Sequence, residues 1–120
     1  MNHTIRLVAV TAIVLLFVQS QAKAENRLDP AAGQELDVGK GMQVYQSSCS
    51  GCHDTGKNGA PRLADKDAWE KRPFHWFSVM KNHASKGFLN MPRKGEHYEL
   101  TDQDMANAVL YMMDQIKEKP

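Results

Sequence analysis

Residues 47–63 read SSCSGCHDTGKNGAPRL, and both cysteines of the chain lie in this one stretch. Cys49 and Cys52 are three positions apart, and His53 follows directly. Three chemistries use such a group: a disulfide redox centre, part of a zinc site, and a covalent attachment point for a prosthetic group. The rest of the chain helps to choose among them.

The first 24 residues have the pattern of a cleaved secretory signal peptide. A charged start ending at Arg6 precedes an apolar run of about 12 residues, and residues 22–24 read Ala-Lys-Ala, a small-x-small cleavage pattern. A membrane-spanning helix needs about 20 apolar residues, so an uncleaved anchor is the weaker alternative. We predict cleavage after Ala24 and a soluble periplasmic protein with no stable membrane insertion.

Cleavage would leave about 96 residues, which we divide into a flexible leader (residues 25–38) and one domain (residues 39–120). A domain of this size has a marginal apolar core. Two neighbouring cysteines cannot provide a disulfide network, so a buried prosthetic group would supply the missing core.

Charge is unevenly distributed along the mature chain. Of the 15 basic residues, 13 remain after removal of Arg6 and Lys23, against 14 acidic residues, which gives −1. Residues 49–95 carry +5, whereas residues 25–48 and 96–120 carry −2 and −4. Nucleic-acid binding would need a stronger basic excess with interleaved aromatic residues. We therefore predict no nucleic-acid partner and a basic face that docks acidic proteins.

The spacing of apolar residues predicts an all-α fold of three to five helices, with no strand signal. One helix starts near Gly39 and ends at the cysteine motif, and residues 68–85 are helix-compatible apart from a break at Pro73. Residues 101–104 resemble a capping box that starts the last helix. The apolar stripe of this helix consists of Met105, Val109, Met112 and Ile116.

Covalent haem attachment fits residues 49–53 better than the other two chemistries. A redox dithiol of the thioredoxin kind needs a preceding strand, and a zinc site needs further ligands, whereas His75 and His83 are eight residues apart. Two cysteines three positions apart lie on one side of a helical turn, so both thiols can bond to the vinyl groups along one porphyrin edge. His53 is then placed to ligate the iron.

The sequence resembles the class I cytochromes c, most closely the bacterial cytochrome c-five group, over residues 41–116. That group often has two further cysteines where this chain has residues 96–99. The resemblance implies a small class I cytochrome c fold around one haem c, in a monomer or weak dimer. Gly41 and Tyr45 would let the first helix cross the last closely. The matching segments are Gly41-x-x-x-Tyr45, the haem motif, Gly59-Ala60-Pro61, Ala68-Trp69-x-x-Arg72 and residues 83–95.

The resemblance also implies Met91 as the second axial ligand. Met91 lies in a loop 38 residues after His53, and Pro92 restrains the backbone beside it. Two alternatives stay open: Met91 packs under the loop, or His97 binds the iron instead. With His53 and Met91 both bound, the iron has no open position, so the protein would be a carrier and not an enzyme.

Three further haem-binding residues follow from the same resemblance. The Pro61 carbonyl would accept the second ring N–H of His53, and Trp69 and Arg72 would donate to the haem propionates. The alternatives are a turn proline, a core tryptophan and a solvated arginine. The core and the pocket wall would include Phe74, Trp76, Phe77 and Phe88.

Together these features predict a periplasmic electron-transfer protein that carries one electron between larger redox proteins with acidic docking faces. Two other functions stay open: a haem subunit permanently bound to a periplasmic dehydrogenase, and a five-coordinate gas-binding or peroxidatic haem protein. The docking bases would be Lys57, Arg62, Lys66, Lys86, Arg93 and Lys94.

Overall fold

The structure is a computed structural model that describes residues 27–28, 33, 35–72 and 76–117. The predicted signal peptide, much of the predicted leader and residues 73–75 lie outside the described residues. The elements are β1 (Arg27–Leu28), β2 (Glu35–Leu36), α1 (Val38–Val44), a π-helical turn (Tyr45–Cys49), α2 (Ser50–His53), α3 (Lys66–Glu70), α4 (Phe77–Lys86) and α5 (Asp102–Lys117), with 3-10 turns at Lys57–Gly59 and Arg93–Glu96. The predicted helical fold is confirmed.

The start of the described chain differs from the prediction. β1 and β2 pair antiparallel where no strand was predicted. Leu36 lies in the predicted leader (residues 25–38), but it is only 1% exposed and packs against α5. The Asp37 backbone N–H also donates to Asn107 Oδ1 at 3.0 Å. Residues 35–38 therefore belong to the domain, because Leu36 covers an apolar part of α5 that would otherwise face water.

The first and last helices cross at very close range, as predicted. A Cβ atom on Gly41 would lie 2.0 Å from the backbone oxygen of Asn107, so only glycine fits between the two backbones. One turn later the Tyr45 ring packs against the Tyr111 ring, with their centroids 5.3 Å apart. This crossing joins the two ends of the domain.

α5 starts at a reciprocal capping box, which confirms the prediction. The Thr101 N–H donates to Asp104 Oδ2 at 2.8 Å, and the Asp104 N–H donates to Thr101 Oγ1 at 3.1 Å. The hydrogen bonds from the Thr101 hydroxyl and N–H lower the pKa of the Asp104 carboxyl. The buried residues of α5 are Met105, Ala106, Asn107, Ala108, Val109, Leu110 and Met112, so its middle is enclosed on most sides.

A second core cluster places the cysteine motif against the interior. Tyr45, Trp69 and Met112 are its buried members, and Cys49 and Leu63 pack against it. This cluster joins the end of α1, α3 and α5, so the motif is attached to the packed interior of the domain. Among the described helices, none has the length and apolar content to cross a membrane.

Candidate functional site

The chain enters the cysteine motif through a π-helical turn. The Ser50 N–H reaches back to the Tyr45 carbonyl, five residues earlier, and α2 then carries the motif to His53. Such turns are rare and occur often at functional sites. The sequence pattern predicts one continuous helix up to the motif and carries no spacing signal for this wider turn. The turn changes the direction in which the residues after it point.

Both cysteines are half-buried, and Cys49 packs against the second core cluster. Burial, with a smaller contribution from the charge of Cys52, raises the pKa of Cys49 to about 11. A thiolate is the form that binds zinc and exchanges disulfides, and this environment disfavours it. The described residues also contain no group of three or more metal-binding side chains that could hold a zinc ion. Cys49 is therefore held mainly as a thiol, packed against the second core cluster.

His53 is buried and its ring is held in one orientation. Its side chain is 7% exposed, and Nδ1 lies 2.9 Å from the Pro61 carbonyl oxygen. A carbonyl only accepts, so Nδ1 carries the hydrogen and Nε2 keeps its lone pair for a metal. The Leu63 N–H donates to the His53 carbonyl at 2.6 Å. The loop over residues 61–63 thus holds both the ring and the backbone of His53, with the predicted contact to Pro61.

Trp69 contacts the His53 ring and the loop before α3, and its predicted role as a propionate donor stays a prediction. Its indole N–H donates to the Arg62 carbonyl at 2.8 Å, and an indole has only that one donor. The indole ring stacks against the His53 ring, with centroids 5.9 Å apart and planes 27° apart. Arg72 is half-buried just after α3, and its N–H donates to the Trp69 carbonyl at 3.1 Å. The side-chain role of Arg72 stays a prediction.

Met91 lies in a tight turn after α4. The Phe88 N–H donates to the Met91 carbonyl at 3.0 Å, and the Met91 N–H donates to the Phe88 carbonyl at 2.9 Å. Leu89 takes φ 53° at the tip and is 83% exposed. The Phe88 ring stacks on the His83 imidazole, with centroids 3.9 Å apart and planes 6° apart. The sequence carries no signal for this stack, which holds the Met91 turn against α4.

The alternative ligand and the residues predicted for the core and pocket wall have different surroundings in the structure. His97, the alternative ligand, has Nδ1 3.2 Å from the Glu99 carboxylate. Phe77 packs against the core cluster of Leu36, Ala106 and Leu110. Trp76 is 73% exposed at the start of α4, where its extended backbone precedes the helix, so its assignment to the core is wrong.

Two of the six predicted docking bases have partners inside the chain. Arg62 Nε donates to the Asp54 carbonyl at 3.1 Å, and Lys94 Nζ donates to the Leu100 carbonyl. These two cations help to hold loops. Exposed positive charge is then best represented by Lys57, Lys86 and Arg93.

The chemistry of the donor set fits a covalently attached haem. Cys49 and Cys52 lie on adjacent helical turns as thiols, and His53 presents Nε2. Imidazole and thioether are both recognised axial ligands of haem iron, so Met91 supplies a suitable second donor type. The Trp69 ring beside His53 adds an apolar wall.

Comparisons with known proteins point in the same direction. A family model described as cytochrome c oxidase, cbb3-type, subunit III matches residues 37–112. The chain is 39% identical over 85 residues to cytochrome c-555 of Chlorobaculum tepidum, covering 68% of this chain and 79% of that protein. It is 40% identical over 85 residues to cytochrome c-555 of Chlorobaculum thiosulfatiphilum, covering 68% and 99%.

A third relative and one solved structure extend the comparison. Cytochrome c5 of Ectopseudomonas mendocina is 32% identical over 71 residues, which cover 58% of this chain and 82% of that protein. A chain in the crystal structure of an electron transfer complex of nitrite reductase with cytochrome c superposes with a TM-score of 0.60 at 31% identity, covering 76% of this chain and all 100% of that one.

Proposed function

This chain belongs to the class I cytochromes c and is an electron carrier with a covalent c-type haem, and we propose that Cys49 and Cys52 attach the haem while His53 and Met91 ligate its iron. The observation that carries the proposal is the hydrogen bond from His53 Nδ1 to the Pro61 carbonyl, beside the two thiols. It selects the tautomer whose Nε2 can bind a metal.

The proposed ligand set accounts for a carrier without enzymatic activity. The haem supplies a one-electron centre when it is bound. The Pro61 carbonyl keeps the His53 ring oriented, and the second core cluster keeps water away from the Cys49 side. The Met91 thioether is neutral and soft, which favours the reduced metal relative to a second imidazole. Two side-chain ligands leave no position for a substrate.

We place the carrier in the periplasm, after export and removal of residues 1–24. Its partners are larger redox proteins, and the electron transfer complex that contains the structural neighbour is an example of such a pairing. The exposed bases on the two loops beside the motif support docking to acidic faces. A cytochrome of this kind acts as a monomer or a weak dimer.

The name of the matching family model supports a second candidate function, a haem subunit bound to a larger membrane or periplasmic enzyme. Size-exclusion chromatography of a periplasmic extract separates the two. A free carrier elutes near the mass of one or two copies of the chain. Co-elution of all of the haem protein with a large enzyme, at physiological salt, would favour the subunit.

The proposed ligand is tested by replacing Met91 with alanine in the holoprotein. Met91→Ala should abolish the weak red absorption band of methionine-ligated ferric haem, open the reduced protein to carbon monoxide and lower the midpoint potential. His97→Ala is the matched control because it removes the alternative ligand, and it should behave as the parent. The assignment is wrong if the two variants exchange these behaviours.

A further inference from the structure

One hydrogen bond spans the whole attachment segment. The Tyr45 hydroxyl donates to the carboxylate of Asp54. Tyr45 is the first residue of the π-helical turn, and Asp54 directly follows His53, so the pair encloses both cysteines and the histidine. Tyr45 is 3% exposed and packs in the second core cluster beside Tyr111. Its ring is therefore a fixed point to which the end of the motif is tied.

Asp54 is also tied to the loop that orients His53. Its carbonyl accepts Arg62 Nε at 3.1 Å, and its N–H donates to the Ser50 carbonyl at 2.9 Å. The loop containing Arg62 provides the Pro61 carbonyl that holds His53 Nδ1. Asp54 thus links a core tyrosine to the loop on which the orientation of the imidazole depends.

The buried hydroxyl of Tyr45 needs a hydrogen-bond acceptor, so Tyr45 fixes the position of Asp54 and not the reverse. Leaving the Tyr45 hydroxyl without an acceptor would destabilise the fold, because a buried polar group without a partner loses its hydration and gains nothing in return. The hydroxyl cannot turn to water because the ring is enclosed, so the Asp54 carboxylate must stay where the ring places it. The position of Asp54 is set by the core and not by the exposed turn around it.

We propose that Tyr45 and Asp54 are positioning residues that set the rotation of the His53 imidazole plane, and through it the electronic state of the carrier. The inference rests on the proposed ligation of the iron by His53. Loss of the hydroxyl frees Asp54 to move with Arg62 and the loop, and the Pro61 carbonyl then holds Nδ1 in a different direction.

The experiment uses the ferric holoprotein and proton nuclear magnetic resonance. The four haem methyl signals are spread by unpaired spin, and their pattern depends on the orientation of the axial ligand planes. Tyr45→Phe and Asp54→Ala should each change the spacing of the four signals and shift the midpoint potential. The double variant should differ little from either single variant, because both substitutions remove the same hydrogen bond. Asp54→Asn keeps an acceptor oxygen and should restore most of the parent pattern.

Tyr111→Phe is the matched control. It removes one hydroxyl from the ring beside Tyr45 and leaves the bond to Asp54 in place, so it should keep the parent pattern. The proposal is overturned if Tyr45→Phe and Asp54→Ala lower the stability but keep the parent methyl pattern and potential. It is equally overturned if Tyr111→Phe reproduces the change, since ring packing would then be the cause. Asp54 is exposed, so Asp54→Ala supplies the test should Tyr45→Phe fail to fold.

The outcome is separate from that of the proposed function. The parent spectrum alone shows whether a methionine methyl group is bound, through signals at very high field. If these are missing, the assignment of Met91 fails, while the effect of Tyr45 on the imidazole of His53 is still measured by the methyl pattern.

Discussion

Replacing Gly41 with alanine should disrupt the crossing of α1 and α5. The new Cβ would lie 2.0 Å from the Asn107 oxygen, 2.6 Å from the Asn107 carbonyl carbon and 3.0 Å from Tyr111 Cβ. Ordinary contact begins near 3.4 Å, so the helices must separate by about 1.4 Å. Two of the three atoms in the way belong to the backbone and cannot rotate aside.

The expected cost combines three contributions. Overpacking of a well-packed contact costs about 1–3 kcal/mol, and separation also weakens the hydrogen bond from the Asp37 N–H to Asn107 Oδ1, worth about 1 kcal/mol. Alanine regains about 1 kcal/mol over glycine inside a helix. We expect the free energy of unfolding to fall by about 2 kcal/mol and the melting temperature by roughly 10 °C.

The measurement is guanidinium unfolding of the holoprotein, followed by circular dichroism and haem absorption. Gly51→Ala is the matched control because a Cβ there has nothing within 4 Å, so this variant should equal the parent or gain up to about 1 kcal/mol. If the free energies of unfolding of Gly41→Ala and Gly51→Ala differ by less than about 0.5 kcal/mol, the close crossing at Gly41 does not contribute to stability as argued.

Three further outcomes can be measured on the same protein. The rate of electron transfer to an acidic partner should fall with ionic strength, and Arg93→Gln should make that fall less steep. Lys117→Gln, which removes an equal charge from the end of α5, should change the slope less. Equal slopes for the two variants would place the docking surface elsewhere. His83→Ala removes the ring stack under the methionine turn, so exogenous imidazole should bind the ferric protein about two- to tenfold more tightly, and an unchanged affinity would contradict this. Thr101→Ala should lose about 1 kcal/mol in urea unfolding at pH 7. The pKa of Asp104 is lowered in the folded state, so the stabilisation by its carboxylate is present above the unfolded pKa and is lost as the pH falls through the folded pKa. The cost of Thr101→Ala should therefore shrink towards pH 3. A cost that does not change with pH would exclude the Asp104 carboxylate as its source.

Local rules explain what could be predicted from the sequence. The capping box at Thr101 and the four-three-four spacing of α5 involve neighbours along one helix, so their pattern is visible without a structure. The haem motif lies in five consecutive residues, and the glycine at position 41 is recognisable by its place in a family pattern. Most of the fold and the attachment segment could therefore be predicted from helix periodicity and from residues that are close together in the sequence.

Contacts between distant segments could not be predicted in this way. Leu36 is buried because it packs against apolar residues of α5, some seventy residues later in the chain. The sequence of the leader alone does not indicate this contact. The indole N–H of Trp69 donates to the Arg62 carbonyl at 2.8 Å, a contact that depends on the path of the loop before α3. Tyr45, the first residue of the π-helical turn, packs against Tyr111 of the last helix, a contact between segments far apart in the sequence. Each outcome required knowledge of the other partner's position.

The crossing of α1 and α5 also sets the order in which the domain can close. The Asp37 N–H meets a side chain 70 positions later, and Gly41 faces the same residue, Asn107. Neither contact can form until almost the whole chain is available, because long-range contacts must wait for loop closure. Until then the segment between them, which contains both cysteines and His53, belongs to an open chain. The contacts of α5 therefore close the domain around that segment only at the end of folding.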